Sequence, residues 1–233
     1  MQDSTKPRKV VDITRPVLAK NEEFAAANRG LFRDKAMLVL NVIGSPGSGK
    51  TTLLEAMAGH LGDAMAVIEG DVQTRRDAER IEQAGCRAYQ IETHGACHLD
   101  AKAVAHALEQ LDLARGECEI LVIENVGNLI CPSSFDLGEH LKVGLLSTPE
   151  GDDKVLKYPS LFSRISDLVV NKIDLLPHLA FDVERIIAEC RSLNGGVRVF
   201  KTSGKSGAGV EDFCRFLLDQ RAKILEASAV ASD

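Results

Sequence analysis

Residues 44–52, Gly44-Ser45-Pro46-Gly47-Ser48-Gly49-Lys50-Thr51-Thr52, follow the apolar run MLVLNVI at 37–43 and lead into TLLEAMAGHL at 52–61. The stretch matches G-x-x-x-x-G-K-[ST], and a strand before it with a helix after it is the context that pattern requires. Glycines let backbone N–H groups curl around phosphate oxygens with no Cβ in the way. Lys50 is placed to neutralise β- and γ-phosphates, Thr51 to hold magnesium, and the helix N-terminus favours the anion. The motif announces a nucleotide without saying which base. The competing reading is a glycine-rich strand–helix turn with no ligand.

Outward from the cradle, short runs of Val, Ile and Leu recur: AMAVIE at 64–69, AYQIE at 88–92, EILVIEN at 119–125, KVGLLST at 142–148, DLVVNKI at 167–173 and VRVFKT at 197–202. Near-continuous apolar runs are what parallel strands covered on both faces require. Amphipathic stretches such as TRRDAERIEQAG, HLDAKAVAHALEQLDLARG and FDVERIIAECRSLN separate several of them. The expected fold class is therefore α/β, a three-layer P-loop NTPase fold with a mostly parallel central sheet.

The 233 residues suffice for one sizeable core. The predicted organisation is an N-terminal extension at 1–35 carrying a helix, a nucleotide-binding domain at 36–227 that also bears the metal site, and a frayed tail at 228–233. The N-terminal helix is expected to open at Pro16 and to pack through Val17, Phe24 and Leu31. A formal charge of −6 speaks against a dedicated nucleic-acid binder. With no long apolar run and no apolar stretch at the N-terminus, the expectation is a cytoplasmic protein that engages no membrane. Six cysteines in a reducing compartment then read as thiols or metal ligands, most of them small core residues.

The strand DLVVNKID ends in Asn171, Lys172, Ile173 and Asp174. A carboxylate at that end can accept both the N1–H and the exocyclic amine of guanine, a donor pair that adenine lacks. Asn171 would brace the loop while the stem of Lys172 lies over the base. The later KTSGKSG would offer the N–H groups of Thr202, Ser203, Gly204 and Lys205 to guanine O6. In this order after the cradle, the two segments resemble the fourth and fifth motifs of GTPases; ordinary loop chemistry is the alternative. Magnesium needs a carboxylate near the cradle, and two candidates arise: Asp71 in VIEGD and Glu124 in EILVIENVGN, with Gly127 three residues beyond Glu124. Lys50, Asp71 and Glu124 form the expected catalytic set. Asp71 as a helix N-cap is a nearly equal reading. No glutamine follows Gly127 to position water, so hydrolysis of GTP to GDP is expected to be slow.

Two further clusters suggest a second ion. THGACHLDA carries Cys97 and His98 at the start of a predicted helix, with His94 three residues before Cys97, and ENVGNLICP places Cys131 four residues past Gly127. Thiolate and imidazole suit zinc and nickel, and a helix N-terminus lowers a thiol's pKa. Adjacent ligands reach one ion only from an irregular backbone, so one ion or two remains open.

The combination of GSPGSGKTTLLE, AVIEGDVQT, ACHLDA, IENVGNLICPSSFDLGE, DDKVLKYP and VVNKIDLLP closely resembles the hydrogenase nickel-incorporation GTPases, the HypB family, within the SIMIBI class of P-loop NTPases. The resemblance implies that Cys97, His98 and Cys131 bind nickel or zinc, and that His94 is at most an extra ligand or a neighbour of the site. It implies a nucleotide- or metal-dependent homodimer, delivery of nickel to the large subunit of a [NiFe] hydrogenase, and a small zinc-containing partner, HypA. Two features depart from parts of that group. The first cysteine is Cys86 and the first histidine His60, so no N-terminal nickel store is expected, and Ser45 stands where the MinD-like branch has its signature lysine. A urease-type nickel GTPase is disfavoured because Cys131-Pro132 is followed by Ser133, not histidine. A metal-storage protein with a vestigial nucleotide site is the third reading.

Overall fold

The computed structural model describes residues 14–71 and 76–230. In chain order the elements are α1 (Thr14–Asp34), β1 (Leu38–Gly44), α2 (Lys50–Leu61), β2 (Met65–Asp71), α3 (Arg76–Gln83), β3 (Arg87–Glu92), α4 (Ala101–Leu111), β4 (Ile120–Glu124), β5 (Leu141–Ser147), α5 (Lys154–Lys157), α6 (Pro159–Phe162), β6 (Asp167–Asn171), α7 (Val183–Leu193), β7 (Arg198–Lys201) and α8 (Val210–Val230). All seven apolar runs become strands of one sheet, ordered β3-β2-β4-β1-β5-β6-β7. Every pairing is parallel, so the sheet is more uniform than the mostly parallel one expected.

The reason for the apolar runs is visible in β1, where every residue is buried. Leu38, Leu40 and Val42 join Leu53, Leu54 and Met57 of α2 and Phe213 and Leu217 of α8 on one face. Val39 faces the other way, into a cluster with Phe32 of α1 and Val104 and Leu108 of α4. A third cluster covers β5 and β6 with α5, α6 and α7. Helices on both faces of a parallel sheet give the three layers expected from the sequence. The chain runs to opposite sides of β1, through β4 and β2 one way and β5 and β6 the other, which opens a crevice beyond the strands' C-terminal ends.

Two expectations outside the sheet need correction. In α1, Val17 and Leu31 are 57% and 39% exposed, whereas Asn21, Ala25, Asn28 and Phe32 are buried. The packed face is thus rotated from the apolar stripe, because the helix docks on backbone polar groups as well as on side chains. At the other end α8 continues through Val230, so the first residues of the expected frayed tail are helical; residues 231–233 lie outside the described ones, as do 1–13. No described helix is long and apolar enough to cross a membrane.

Candidate nucleotide and metal sites

The cradle joins β1 to α2. Gly49 adopts φ +88°, and a Cβ there would lie 2.8 Å from Asn171 Nδ2, so the position needs glycine on both counts. Lys50 Nζ points back into the loop and donates to Gly44 O (3.3 Å) and Ser45 O (3.4 Å). Thr51 Oγ1 donates to Glu124 Oε1 at 3.0 Å. Lys50, Thr51 and Glu124 are 7%, 8% and 5% exposed, so charge is concentrated where water is scarce. Pro46, Gly47, Lys50, Thr51, Glu124 and Lys172 are among the walls of a cavity of about 500 Å³.

Glu69 is a residue that the sequence reading passed over. It is buried, lines the same cavity, and stands in register with Glu124 on the neighbouring strand. The signal was present: a carboxylate inside the otherwise apolar AMAVIE run demands a partner or an ion. Asp71 closes β2, but the expected role of its side chain, and the segment 72–75 after it, fall outside the described residues. A hydroxyl and a buried carboxylate at the mouth of a phosphate cradle are the hard oxygen donors that magnesium takes.

On the base side, Asn171 braces two loops at once. Its Nδ2 donates to Ser48 O (3.1 Å), and its Oδ1 accepts from Thr202 Oγ1 and Gly204 N, both at 3.2 Å. Lys172, at φ +60°, sends Nζ to Gly47 O at 2.6 Å. Asp174 Oδ1 accepts from Ser203 Oγ at 2.6 Å, which fixes the carboxylate at the crevice. The expected base-reading N–H groups are corrected in part. Thr202 N donates to Val170 O, Ser203 N to Ala208 O and Gly204 N to Asn171 Oδ1. These three hold the loop together; Lys205 N–H carries no such bond.

The second cluster assembles from distant segments. Cys97, His98 and Cys131 bring their donor atoms within 4.8 Å of one another, and no other such group of three occurs among the described residues. Cys97 Sγ lies 3.4 Å from His98 Nδ1. Zinc–sulfur bonds of about 2.3 Å and zinc–nitrogen bonds of about 2.0 Å would need only a small inward movement. His94 is exposed and stands outside the cluster. The helix expected to begin at Cys97 begins at Ala101, capped by Asp100, so the ligand pair lies on irregular chain that includes positive φ at His94 and Gly95. That irregularity is what lets adjacent residues face one ion. Cys131 opens a 3-10 turn, Cys131–Ser134.

The expected lowering of the Cys97 pKa is also corrected. It is raised, first because the thiol hydrogen-bonds to Cys131 and then by burial and charge. Two sulfurs this close resist ionising together unless a cation joins them. Burial lowers the His98 pKa below its usual value, against the pull of Asp100, which keeps its lone pair available near neutral pH. The His98 ring lies 3.8 Å, centroid to centroid, from that of Phe135. The other four cysteines are buried, and burial pushes Cys86 and Cys190 up to about 11 and Cys118 and Cys214 up to about 12. They are inert core thiols.

Residues 38–201 match the family described as CobW/HypB/UreG, nucleotide-binding domain. Hydrogenase maturation factor HypB of Azotobacter chroococcum mcd 1 is 48% identical over 221 residues, covering 94% of this chain and 72% of the relative. The chain belongs to the HypB family. Among solved structures, HypB from Helicobacter pylori in complex with nickel superposes with TM-score 0.84 at 40% identity, covering 88% of this chain and 97% of that one. Hydrogenase maturation factor HypB from Archaeoglobus fulgidus gives 0.80 at 37% identity, covering 88% and 100%. The nucleotide-binding domain of the HypB family thus accounts for the cradle, and α1 precedes the matched residues.

Proposed function

We propose that this protein is a GTP-hydrolysing nickel metallochaperone for maturation of [NiFe] hydrogenase, cytoplasmic, working as a homodimer with the zinc-containing accessory protein HypA and with the hydrogenase large subunit as client. The observation that carries this is the convergence of two thiols and one neutral imidazole on the chain that leaves the nucleotide cavity: Glu124 contacts Thr51, and Cys131 lies seven residues later. A relative solved with nickel supports nickel as the cargo, with zinc as the competing ion.

In this reading Asp174 selects guanine, Lys50 neutralises the β- and γ-phosphates, and Thr51 with Glu124 and Asp71 would hold magnesium. Magnesium bound there supplies charge neutralisation as the phosphoryl bond breaks. Glu124 keeps the Thr51 hydroxyl oriented, and burial strengthens both contacts. With no glutamine after Gly127 to orient water, turnover is slow. Cys97, His98 and Cys131 hold the cargo, and its release follows the nucleotide state because the segment from Glu124 to Cys131 moves as one.

The test is a set of nickel and zinc titrations. Cys97→Ala, His98→Ala and Cys131→Ala each weaken metal binding, while Cys190→Ser and Cys214→Ser, in the core, do not. Five variants that bind alike would remove the metal from this site. GTP turnover by the same preparations separates the metallochaperone from a storage protein with a vestigial cradle.

A further inference from the structure

Helix α1 buries a polar face. Asn21 is 8% exposed and Asn28 fully buried, seven residues apart on the same side of the helix. Asn21 Nδ2 donates to Asp136 O at 2.7 Å, and its Oδ1 accepts from Ala101 N at 2.9 Å. Asn28 Nδ2 donates to Ala101 O at 2.8 Å and to Leu137 O at 2.9 Å. Each amide therefore bridges the same two pieces of chain. One begins α4, three residues after His98; the other lies five and six residues after Cys131.

Three contacts show how closely the pieces are held. Gly138 has φ +88°, and a Cβ on it would lie 2.6 Å from Ala25 O, so the chain after Leu137 presses against the helix backbone. Phe135, against the His98 ring, immediately precedes Asp136. Arg29 pairs with the Asp136 carboxylate at 2.8 Å. The Oδ1 of Asn28 is buried without a hydrogen-bond partner. A side chain kept there for packing alone would be apolar, because an unsatisfied buried oxygen is costly. Its two donor hydrogens are what the position uses.

We propose that α1 is a structural member of the metal centre, with Asn21 and Asn28 as positioning residues that set the separation of Cys97 and His98 from Cys131. The inference rests on the reading that these three residues bind nickel. The ligands themselves sit on irregular chain and a short turn, so neither segment fixes its own position. Neighbours that orient ligands commonly govern metal affinity as strongly as partial loss of a ligand does. Among the described residues the cradle makes no hydrogen bond to α1, so nucleotide binding serves as an internal control.

The experiment uses the full chain with Asn21→Leu, Asn28→Leu and Asn21→Asp. The aspartate keeps an acceptor for Ala101 N and loses the donor to Asp136 O, so it severs the bridge with little change of shape. Nickel affinity is measured by competition with a chromophoric chelator, the thiolate-to-nickel absorption band is recorded, and GDP affinity is measured in parallel. Expected are a fall of about 10–100-fold in nickel affinity and an altered band at unchanged GDP affinity. Unchanged nickel affinity in Asn21→Leu and Asn21→Asp overturns the proposal. So does a parallel loss of nickel and GDP binding in all three variants, which would make α1 a general folding element. If Cys97→Ala and Cys131→Ala leave nickel affinity unchanged, the site itself is misread, whatever α1 does.

Discussion

The nucleotide cleft and the metal centre both grow from the end of β4, yet they are held in opposite ways. In the cleft, Lys50, Thr51 and Glu124 are almost fully buried and bonded to the loop's own carbonyls or to each other. Asn171 locks the cradle to the loop after β7. In the candidate metal centre Cys97 is exposed, the donors come from an irregular stretch and a 3-10 turn, and the contacts that fix them come from Phe135, from α1 and from side chains such as Asn125, Lys142 and Arg164. A phosphate site must be rigid before its ligand arrives, because preorganised dipoles act only if they need not reorganise. A cargo site must also let go, and loops held by a neighbouring helix can be shifted at lower cost than a cradle built into the sheet.

The cleft should therefore show the largest responses to single changes. Asp174 is the extreme case, since its carboxylate is oriented by Ser203. Asp174→Asn should weaken GTP and favour xanthosine triphosphate, whose 2-oxo group accepts from the new amide. Discrimination of this kind reaches about 10⁴-fold. Competition binding with the two nucleotides checks it; unchanged GTP affinity would take Asp174 out of the site. Next is Lys50→Ala, expected to lower GTP turnover by about 10²–10³-fold, as loss of a preorganised charge contact does. Its circular dichroism should match the parent. Turnover at the parent rate would mean that the activity lies elsewhere.

The metal centre should respond more gently, and through protons. Cys97 holds its proton more tightly than a free thiol because Cys131 is beside it, and ligation must remove that proton. Below its raised pKa, nickel affinity therefore increases with pH, by about tenfold per unit for each thiol proton that ligation displaces, and so by at least about a hundredfold between pH ~6.5 and ~8.5. His98, with its pKa lowered by burial, is mostly neutral over that range and adds little to the slope. Nickel titrations at several pH values should show the slope in the parent and in His98→Ala. A flat profile would mean that no thiol proton is displaced.

The contrast also explains what was legible in the sequence. Strand runs, cradle and NKID were readable because each depends on chemistry within a few consecutive residues. The polar face of α1 was not, because Asn21 and Asn28 bond to chain more than seventy residues away. The loop after β7 was misjudged for a related reason: whether Thr202, Ser203 and Gly204 N–H groups are available depends on Val170, Ala208 and Asn171. Glu69 could have been found, since a carboxylate in an apolar strand is anomalous on sight. Cys97, His98 and Cys131 were suggested by residue type and by resemblance, but their convergence required the fold.

The smallest expected effect is the one that joins the two regions. Asn125 follows Glu124 directly and is 1% exposed. Its Oδ1 accepts from Leu99 N at 3.1 Å, its Nδ2 donates to Asn41 Oδ1 at 3.1 Å, and its own N–H bonds to Val42 O at 3.0 Å. The Leu99 side chain occupies the place of a Cβ on Gly70, with Cγ 2.8 Å from that point. A displacement of Glu124 or of the end of β2 thus reaches Leu99, and with it His98, by a path that branches at Asn125 from the segment 124–131 that carries Cys131. Typical coupling of about 1–3 kcal/mol corresponds to about 5–150-fold in nickel affinity between nucleotide states, and nickel must change nucleotide affinity by the same factor. Asn125→Ala leaves Leu99 N–H without its acceptor and should reduce the coupling by about 0.5–2 kcal/mol, or about 2–30-fold. The measurement is nickel titrated into the GDP and non-hydrolysable GTP-analogue forms of parent and variant, then each nucleotide into the apo and nickel forms. An unchanged ratio in the variant would assign the coupling to Cys131 alone. Equal nickel affinities in both nucleotide states of the parent would leave a GTPase and a metal site that merely share a chain.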